Sequence, residues 1–555
     1  MKVSQIEYKR PEKDQAIAKI KQVKELLSNA KNAEEFLAVH KDFKKEYSNF
    51  ETMASLAYIR FSLNTQDEFY AKEQDYYDEA MPEISVELSQ LSRCYVESPF
   101  RSQLEKYFPK TMFDVMEMEI KAHDPAILQE KIEENKLCTE YTRLMSEILV
   151  DYNGEQIPFP SMGKYFSNED REVRKSAVIA YAQAIEDRKD QLDELYDRLV
   201  KVRTKMGQKL GYEGFSPLGY LRMQRTCYTK DDIAKFRANV KKYLVPLATK
   251  LRQKVQKDMG WDVQHYWDTS VFTQKEPKPF GTVDQIFEHG KKMYHEMDNE
   301  TGELFDRMYQ AEAFDVISRK GKFGGGYCTC LPDYKLPFIL ANFNGSLGDI
   351  DVLTHEFGHA YAFARDCEID CMTEVAMETA EVHSMSMEFL AYPWIEGFFG
   401  DCTEEYKFNH IGGAITFIPY GTIVDYFQQE VYDNPNMSCQ ERNQFYNKIE
   451  KEFLPYMTTE GIPAFENGRR WQRQQHIYES PFYYIDYCLA QFTSLQFLAL
   501  SQKDWKSAFE KYKKFVYINC TEDFTTTLKH CDLLSPFEEE SFKEVVKAVE
   551  DILKI

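Results

Sequence analysis

PFILANFNGSLGDIDVLTHEFGHA, residues 337–360, changes its periodicity partway along. Positions 337–343 are a short continuous apolar run, which predicts one buried or edge strand. From about Asp349 the apolar spacing becomes helical and stays so nearly to the C-terminus. Just upstream, KFGGGYCTC places Gly324, Gly325 and Gly326 together, a sequence that permits a tight turn or a close backbone approach. The stretch therefore predicts a small β element set against a long helical region.

Upstream, residues 11 to about 145 predict helix after helix. Pro11 suits a first turn, and Ala16, Ile20, Val23 and Leu27 follow at helical spacing. Segments 112–122 and 127–146 read the same way. LVDYNGEQIPFP, residues 149–160, interrupts them, and its Asn153-Gly154 pair between β-prone runs predicts a hairpin. Ser167-Asn168-Glu169-Asp170 has the form of a capping box opening a helix through Asp187. Helices then continue to about residue 313. The division expected along the chain is an N-terminal helical region, 1–155, followed by the region that carries the chemistry, 156–555. The class is mainly α.

The chain has 555 residues, more than one compact core usually holds. It is 43% hydrophobic and 29% charged, as a soluble globular protein would be. Aromatics reach 14%, which suits an aromatic-lined internal surface as well as ordinary core packing. Ninety-one acidic residues against 69 basic ones give a formal charge of −22, which disfavours nucleic acid and anionic membrane surfaces as partners. Met1 to Glu7 lead into a charged stretch without the apolar core of a signal peptide, and no run of about 18 uncharged apolar residues predicts a membrane span. The 12 cysteines are scattered and read as reduced thiols in a cytoplasmic protein. The closest pairs, Cys328/Cys330 and Cys367/Cys371, match no common zinc spacing.

Within the opening stretch, His355-Glu356-Phe357-Gly358-His359 is an H-E-x-x-H sequence in a predicted helix. Residues i and i+4 share a face, so both imidazoles can meet one ion with Glu356 beside them. Zinc takes neutral imidazole nitrogens and, in catalytic sites, keeps one position for water, from which a carboxylate can remove a proton. Chance produces the pattern in roughly 2% of chains with this many histidines. A third ligand is needed. Ala362 and Arg365 exclude the metzincin spacing. Downstream, Glu374, Glu378, Glu381 and Glu388 fall on one helical stripe, and no Lys or Arg occurs from Asp366 through Tyr406. Like charges along a helix repel, so an uncompensated carboxylate row here predicts a bound cation. Spacing alone leaves both Glu378 and Glu381 open.

These segments together resemble the thimet-oligopeptidase and oligoendopeptidase F family of zinc metallopeptidases, in its Pz-peptidase-like branch. The resemblance rests on GGGYCT (324–329), PFILANFNG (337–345), HEFGH (355–359), EVHSMSME (381–388) and HIYESPFYYIDYCLA (476–490), and spans most of residues 160–545. It implies one Zn2+ per chain held by His355, His359 and Glu381, with Glu378 and Glu388 able to accept hydrogen bonds from the ligand imidazoles. Glu356 would activate water and then protonate the leaving amine. His476, Tyr484 and Tyr487 would face the scissile carbonyl, and Tyr483 would point elsewhere because only 484 and 487 share a helical face. His383 and His410 would be structural. The implied fold is two largely helical halves enclosing a deep substrate channel, with the first 150 residues in one wall and the β element beside the zinc. The implied partners are oligopeptide substrates, and a monomer would suffice. An exposed edge at 337–344 could hold an extended peptide by main-chain hydrogen bonds, while an internal strand would merely pack. Two rival readings are a zinc exopeptidase, which needs a site for a free terminus, and a non-catalytic peptide-binding helical protein, which has no need of Glu356.

Overall fold

The structure is a computed structural model that describes residues 1–555, apart from the surroundings of the Pro82 side chain. It is 70% helical, so the class is mainly α as the periodicity predicts. Among the described residues, the strands form two small sheets. No helix among them is long and apolar enough to cross a membrane.

Two compact units each draw on three separated segments. The first comprises Met1–His123, Lys278–Thr403 and Leu500–Leu533. The second comprises Asp124–Pro277, Glu404–Ala499 and Leu534–Ile555. The division expected at residue 155 follows chain order, whereas the units are assembled across it.

The first unit opens with α1 (Lys13–Ser28), α2 (Ala33–Leu63) and α3 (Glu68–Val96). Polar caps start two of these helices: the Asn32 side chain accepts the Glu35 N–H, and Asp67 accepts those of Phe69 and Tyr70. Ile20, Val23 and Leu27 of α1 bury their side chains with Phe36, Phe43 and Tyr95. Each such aliphatic side chain contributes about 1.5–3 kcal/mol by leaving water.

Within the same unit, β1 (Phe314–Ile317), β2 (Tyr327–Leu331) and β3 (Leu336–Phe343) form one sheet. Its order is β1-β3-β2, with β1 parallel and β2 antiparallel to β3. Thus β3 is the central strand, which decides between the two alternatives at 337–344 for the internal strand. Its first six residues are buried, the continuous apolar run of a strand covered on both faces. The edge beside β3 is β2, with Cys328 opposite Ile339 and Cys330 opposite Pro337.

Gly345, at φ +81°, turns the chain out of β3. The buried Asp349 carboxylate accepts the N–H groups of Asn344 and Gly345 at 2.9 and 2.8 Å, fixing the entry into α4 (Gly348–Asp366). A loop leads to α5 (Met377–Leu390). Asp370 in that loop accepts hydrogen bonds from His40 and Tyr107 at 3.0 and 2.8 Å, tying it to the N-terminal helices. The His40 bond above all holds the Asp370 carboxyl well below its usual range.

In the second unit, Leu149–Tyr152 and Glu155–Pro158 pair antiparallel around Asn153-Gly154, both at positive φ. This is the predicted hairpin, because two left-handed residues match the strand twist. The helix that follows begins at Arg171, capped by the Asp170 side chain on the Glu172 N–H. Ser167 instead ends a short preceding helical turn, so the expected box at 167–170 reduces to its last residue. The long helices α6 (Thr403–Asp433) and α7 (Tyr484–Lys503) cross closely at Gly421, where an added Cβ would lie 2.3 Å from the Cys488 sulfur.

Candidate metal centre

His355 and His359 sit one turn apart on α4 with ring centroids 5.0 Å apart. Both Nε2 atoms face Glu381 of α5, at 3.5 and 3.7 Å from its Oε2. This arrangement depends on how closely the helices approach. A Cβ on Gly358 would stand 2.5 Å from the His383 carbonyl oxygen and 2.7 Å from the Ser384 Cα. Glycine inside H-E-F-G-H therefore lets the α5 backbone press against α4 and brings Glu381 opposite the two imidazoles.

One donor atom from each of His355, His359 and Glu381 lies within 4.8 Å of the others. An ion bound about 2.0–2.2 Å from each donor needs separations below about 4.4 Å, and the measured carboxylate–imidazole distances meet that. Glu388 Oε1 lies 2.7 Å from His355 Nδ1, on the ring nitrogen turned away from the cluster. With a proton held there, Nε2 is the nitrogen turned to the cluster, and a cation would replace the proton it otherwise shares with Glu381. Ser384 Oγ donates to Glu381 Oε2 at 3.1 Å and fixes that carboxylate. The donor set fits a zinc-type cation, with two imidazoles, one carboxylate and no thiolate.

Electrostatics agree with the geometry. Burial alone would push His355 down, but hydrogen bonds to Glu381 and Glu388 reverse this and hold it well above its ordinary value. Burial would raise Glu381, and the two imidazoles overcome that and keep it low. Burial lowers His359 to about 4, so that ring is neutral at neutral pH. Glu356 is 8% exposed, and burial raises its carboxyl to about 7 against the opposing field of His355. A Cβ on Gly326 would lie 3.6 Å from Glu356 Oε1, so the glycine-rich entry to β2 leaves space over this carboxylate.

The structure divides the predicted acidic stripe. Glu378, Glu381 and Glu388 lie on α5 and are buried, at 3%, 6% and 9% exposure. Glu374 precedes the helix and is exposed. His383 packs its ring 5.5 Å from Phe515, and burial lowers it to about 3, as a structural residue. His410 stacks on Tyr406.

In the second unit, the His476 ring lies 4.9 Å from Tyr484 and 6.1 Å from Tyr487. Tyr483 joins the same group, 4.8 Å from Tyr487, which corrects the expectation that it points away. It immediately precedes α7, and its separation from Tyr487 is one helical turn. Burial lowers His476 and raises the Tyr484 hydroxyl, so both are neutral donors at neutral pH. Gln474 carries no motif that marks it in the sequence. Its side chain lies 2.8 Å from His476 Nδ1 and accepts the Tyr420 hydroxyl hydrogen at 2.6 Å. Gly358 was readable only as a letter inside the motif, because its role lies in a contact with a distant segment.

Fold and donor set together define a class, the metalloendopeptidases with two histidines and a glutamate around the metal. The chain belongs to peptidase family M3: the family model matches residues 164–541, and the Peptidase M3 N-terminal domain model matches residues 3–123. Oligopeptidase PepF of Bacillus subtilis (strain 168) is 23% identical over 431 residues, which cover 73% of this chain and 61% of that protein. The structure of Pz peptidase A with an inhibitor is 40% identical, superposes with a TM-score of 0.93, and is matched over 100% of this chain and 99% of its own. A protein from Bacillus anthracis str. Ames designated an oligoendopeptidase F is 37% identical, with a TM-score of 0.88 over 99% of this chain and 98% of its own.

Proposed function

We propose that this chain is a zinc-dependent endopeptidase that hydrolyses internal bonds of short oligopeptides. The observation that carries the reading is the convergence of His355, His359 and Glu381 beside the buried Glu356. His355, His359 and Glu381 would hold the zinc, which would supply Lewis acidity toward the scissile carbonyl and the attacking water.

The remaining work belongs to the chain. Glu356 takes the proton from the attacking water and passes it to the leaving amine, a role suited to a carboxyl raised toward neutrality by burial. Glu388 keeps His355 turned with Nε2 toward the cluster. The family resemblance assigns His476, Tyr484 and Tyr487 to the carbonyl oxygen as it gains charge, a role that neutral preorganised donors fill at low reorganisation cost. The edge of the sheet at β2 pairs with an extended substrate backbone, which selects by main-chain pattern more than by side chain.

An internally quenched peptide blocked at both ends separates this reading from an exopeptidase. Cleavage between the blocked termini is the expected result. Resistance of the blocked peptide, with cleavage of its free-ended counterpart, would assign the chain to the exopeptidases.

A further inference from the structure

The unit that carries the metal cluster also holds a pair of thiols that the proposed chemistry does not use. Cys330 lies on β2, opposite Pro337 of the central strand. Cys367 caps the C-terminal end of α4, the helix that carries both histidines, with its N–H bonded to the Phe363 carbonyl at 3.2 Å. Their Sγ atoms are 3.4 Å apart although the residues are 37 positions apart in sequence. Both side chains are half-buried and thus open to small solutes.

A disulfide has an S–S length of about 2.05 Å, so about 1.4 Å of approach would join the two sulfurs. Their backbone anchors, a sheet edge and a helix end, already hold them together. We propose that Cys330 and Cys367 form a peroxide-driven, reversible disulfide that tethers β2 to the end of the H-E-x-x-H helix.

The hydrogen between the sulfurs decides which one reacts first. Either thiol can donate it; with Cys330 as the donor, Cys367 is the more acidic partner, and Lys335, Arg307 and Lys44 lower it further. The Cys367 thiolate attacks a hydrogen peroxide oxygen, forming an S–O bond as the O–O bond breaks and hydroxide leaves. Cys330, giving up its proton, then attacks the Cys367 sulfur; the S–S bond forms, the S–O bond breaks, and hydroxide departs as water. Two thiols and one peroxide become one disulfide and two waters. A dithiol reductant reverses the step by thiol–disulfide exchange.

A third thiol, Cys371, lies 3.3 Å from the Thr373 hydroxyl, so it has its own partner. Cys402 is exposed and serves as an internal reference.

The test is peptide mapping by mass spectrometry, under non-reducing conditions, of the full chain treated with graded hydrogen peroxide. The expected product is a Cys330–Cys367 linked peptide that forms before Cys402 is oxidised and disappears with dithiothreitol. In Cys330→Ser, Cys367 should accumulate as a dimedone-trapped sulfenic acid; in Cys367→Ser, Cys330 should remain alkylatable. The proposal is overturned if both thiols stay separately alkylatable at a dose that oxidises Cys402, or if either is linked to another cysteine instead. The readout is peptide mass, so it does not depend on whether the chain cleaves peptides.

Discussion

In the second unit, Glu134 lies between two guanidinium groups, 2.6 Å from Arg203 and 2.9 Å from Arg222, while Asp486 meets Arg225 at 3.0 Å and Asp268 meets Arg174 at 3.1 Å. Around His355 the buried carboxylates have different company. Glu381 and Glu388 face imidazoles, and the sequence from Asp366 through Tyr406 contributes no Lys or Arg. A permanent cation neutralises a buried carboxylate as a closed structural pair. An imidazole is not a permanent cation, and a metal ion that takes the place of its proton can balance these carboxylates instead. The difference distinguishes buried acids that hold the fold together from buried acids arranged to receive a cation.

The strongest way to break this comparison is Glu381→Ala, which should abolish both bound metal and peptidase activity while the fold, read by circular dichroism, stays intact. Retained stoichiometric metal would remove Glu381 from the ligand set. Glu356→Gln should lower kcat by about 10²–10⁴-fold, the usual contribution of a general base, with metal content unchanged. Glu134→Gln probes the other side of the comparison. Breaking that buried pair should destabilise the second unit by about 3–5 kcal/mol in denaturant titrations and leave metal affinity unchanged.

The same pair has a pH signature. Burial would raise Glu134, but Arg222 and Arg203 outweigh it and hold the carboxyl at about 2 in the folded protein. Its stabilisation is therefore present above the ordinary glutamate range and is lost as pH falls from there toward 2. Glu134→Gln should flatten that acid limb. Tyr484→Phe or Tyr487→Phe should lower kcat by about 10²–10³-fold with KM and metal content nearly unchanged, because each removes a donor and keeps a ring. Unaltered kcat in both would take these hydroxyls out of the reaction. The smallest effect is expected for Glu388→Gln, a loss of about 10–100-fold in metal affinity through the orientation of His355.

How much of this was legible depended on whether the cause was local. H-E-x-x-H and the following glutamates are local, and the structure brings His355, His359 and Glu381 together. The Asn153-Gly154 hairpin is local too, since two adjacent residues set its turn. The central place of β3 was not, because its partner β1 is four residues long and partly exposed, too weak a pattern to fix a neighbour. Tyr483 joins the group because it stands one helical turn from Tyr487, an i,i+4 relation that the i,i+3 spacing of 484 and 487 does not display. The interleaving of segments into two units, the Gly358 helix crossing and the Gln474 bond to His476 join residues remote in chain or carry no motif, so no periodicity could announce them.

The most direct test of the central claim is metal removal and return, followed on one sample by elemental analysis and by cleavage of the doubly blocked quenched peptide. Dialysis against a chelator should remove the metal and abolish cleavage, and one equivalent of Zn2+ per chain should restore it, with no restoration in Glu381→Ala. Full cleavage by metal-free protein, or restoration of Glu381→Ala to wild-type turnover, would contradict the account.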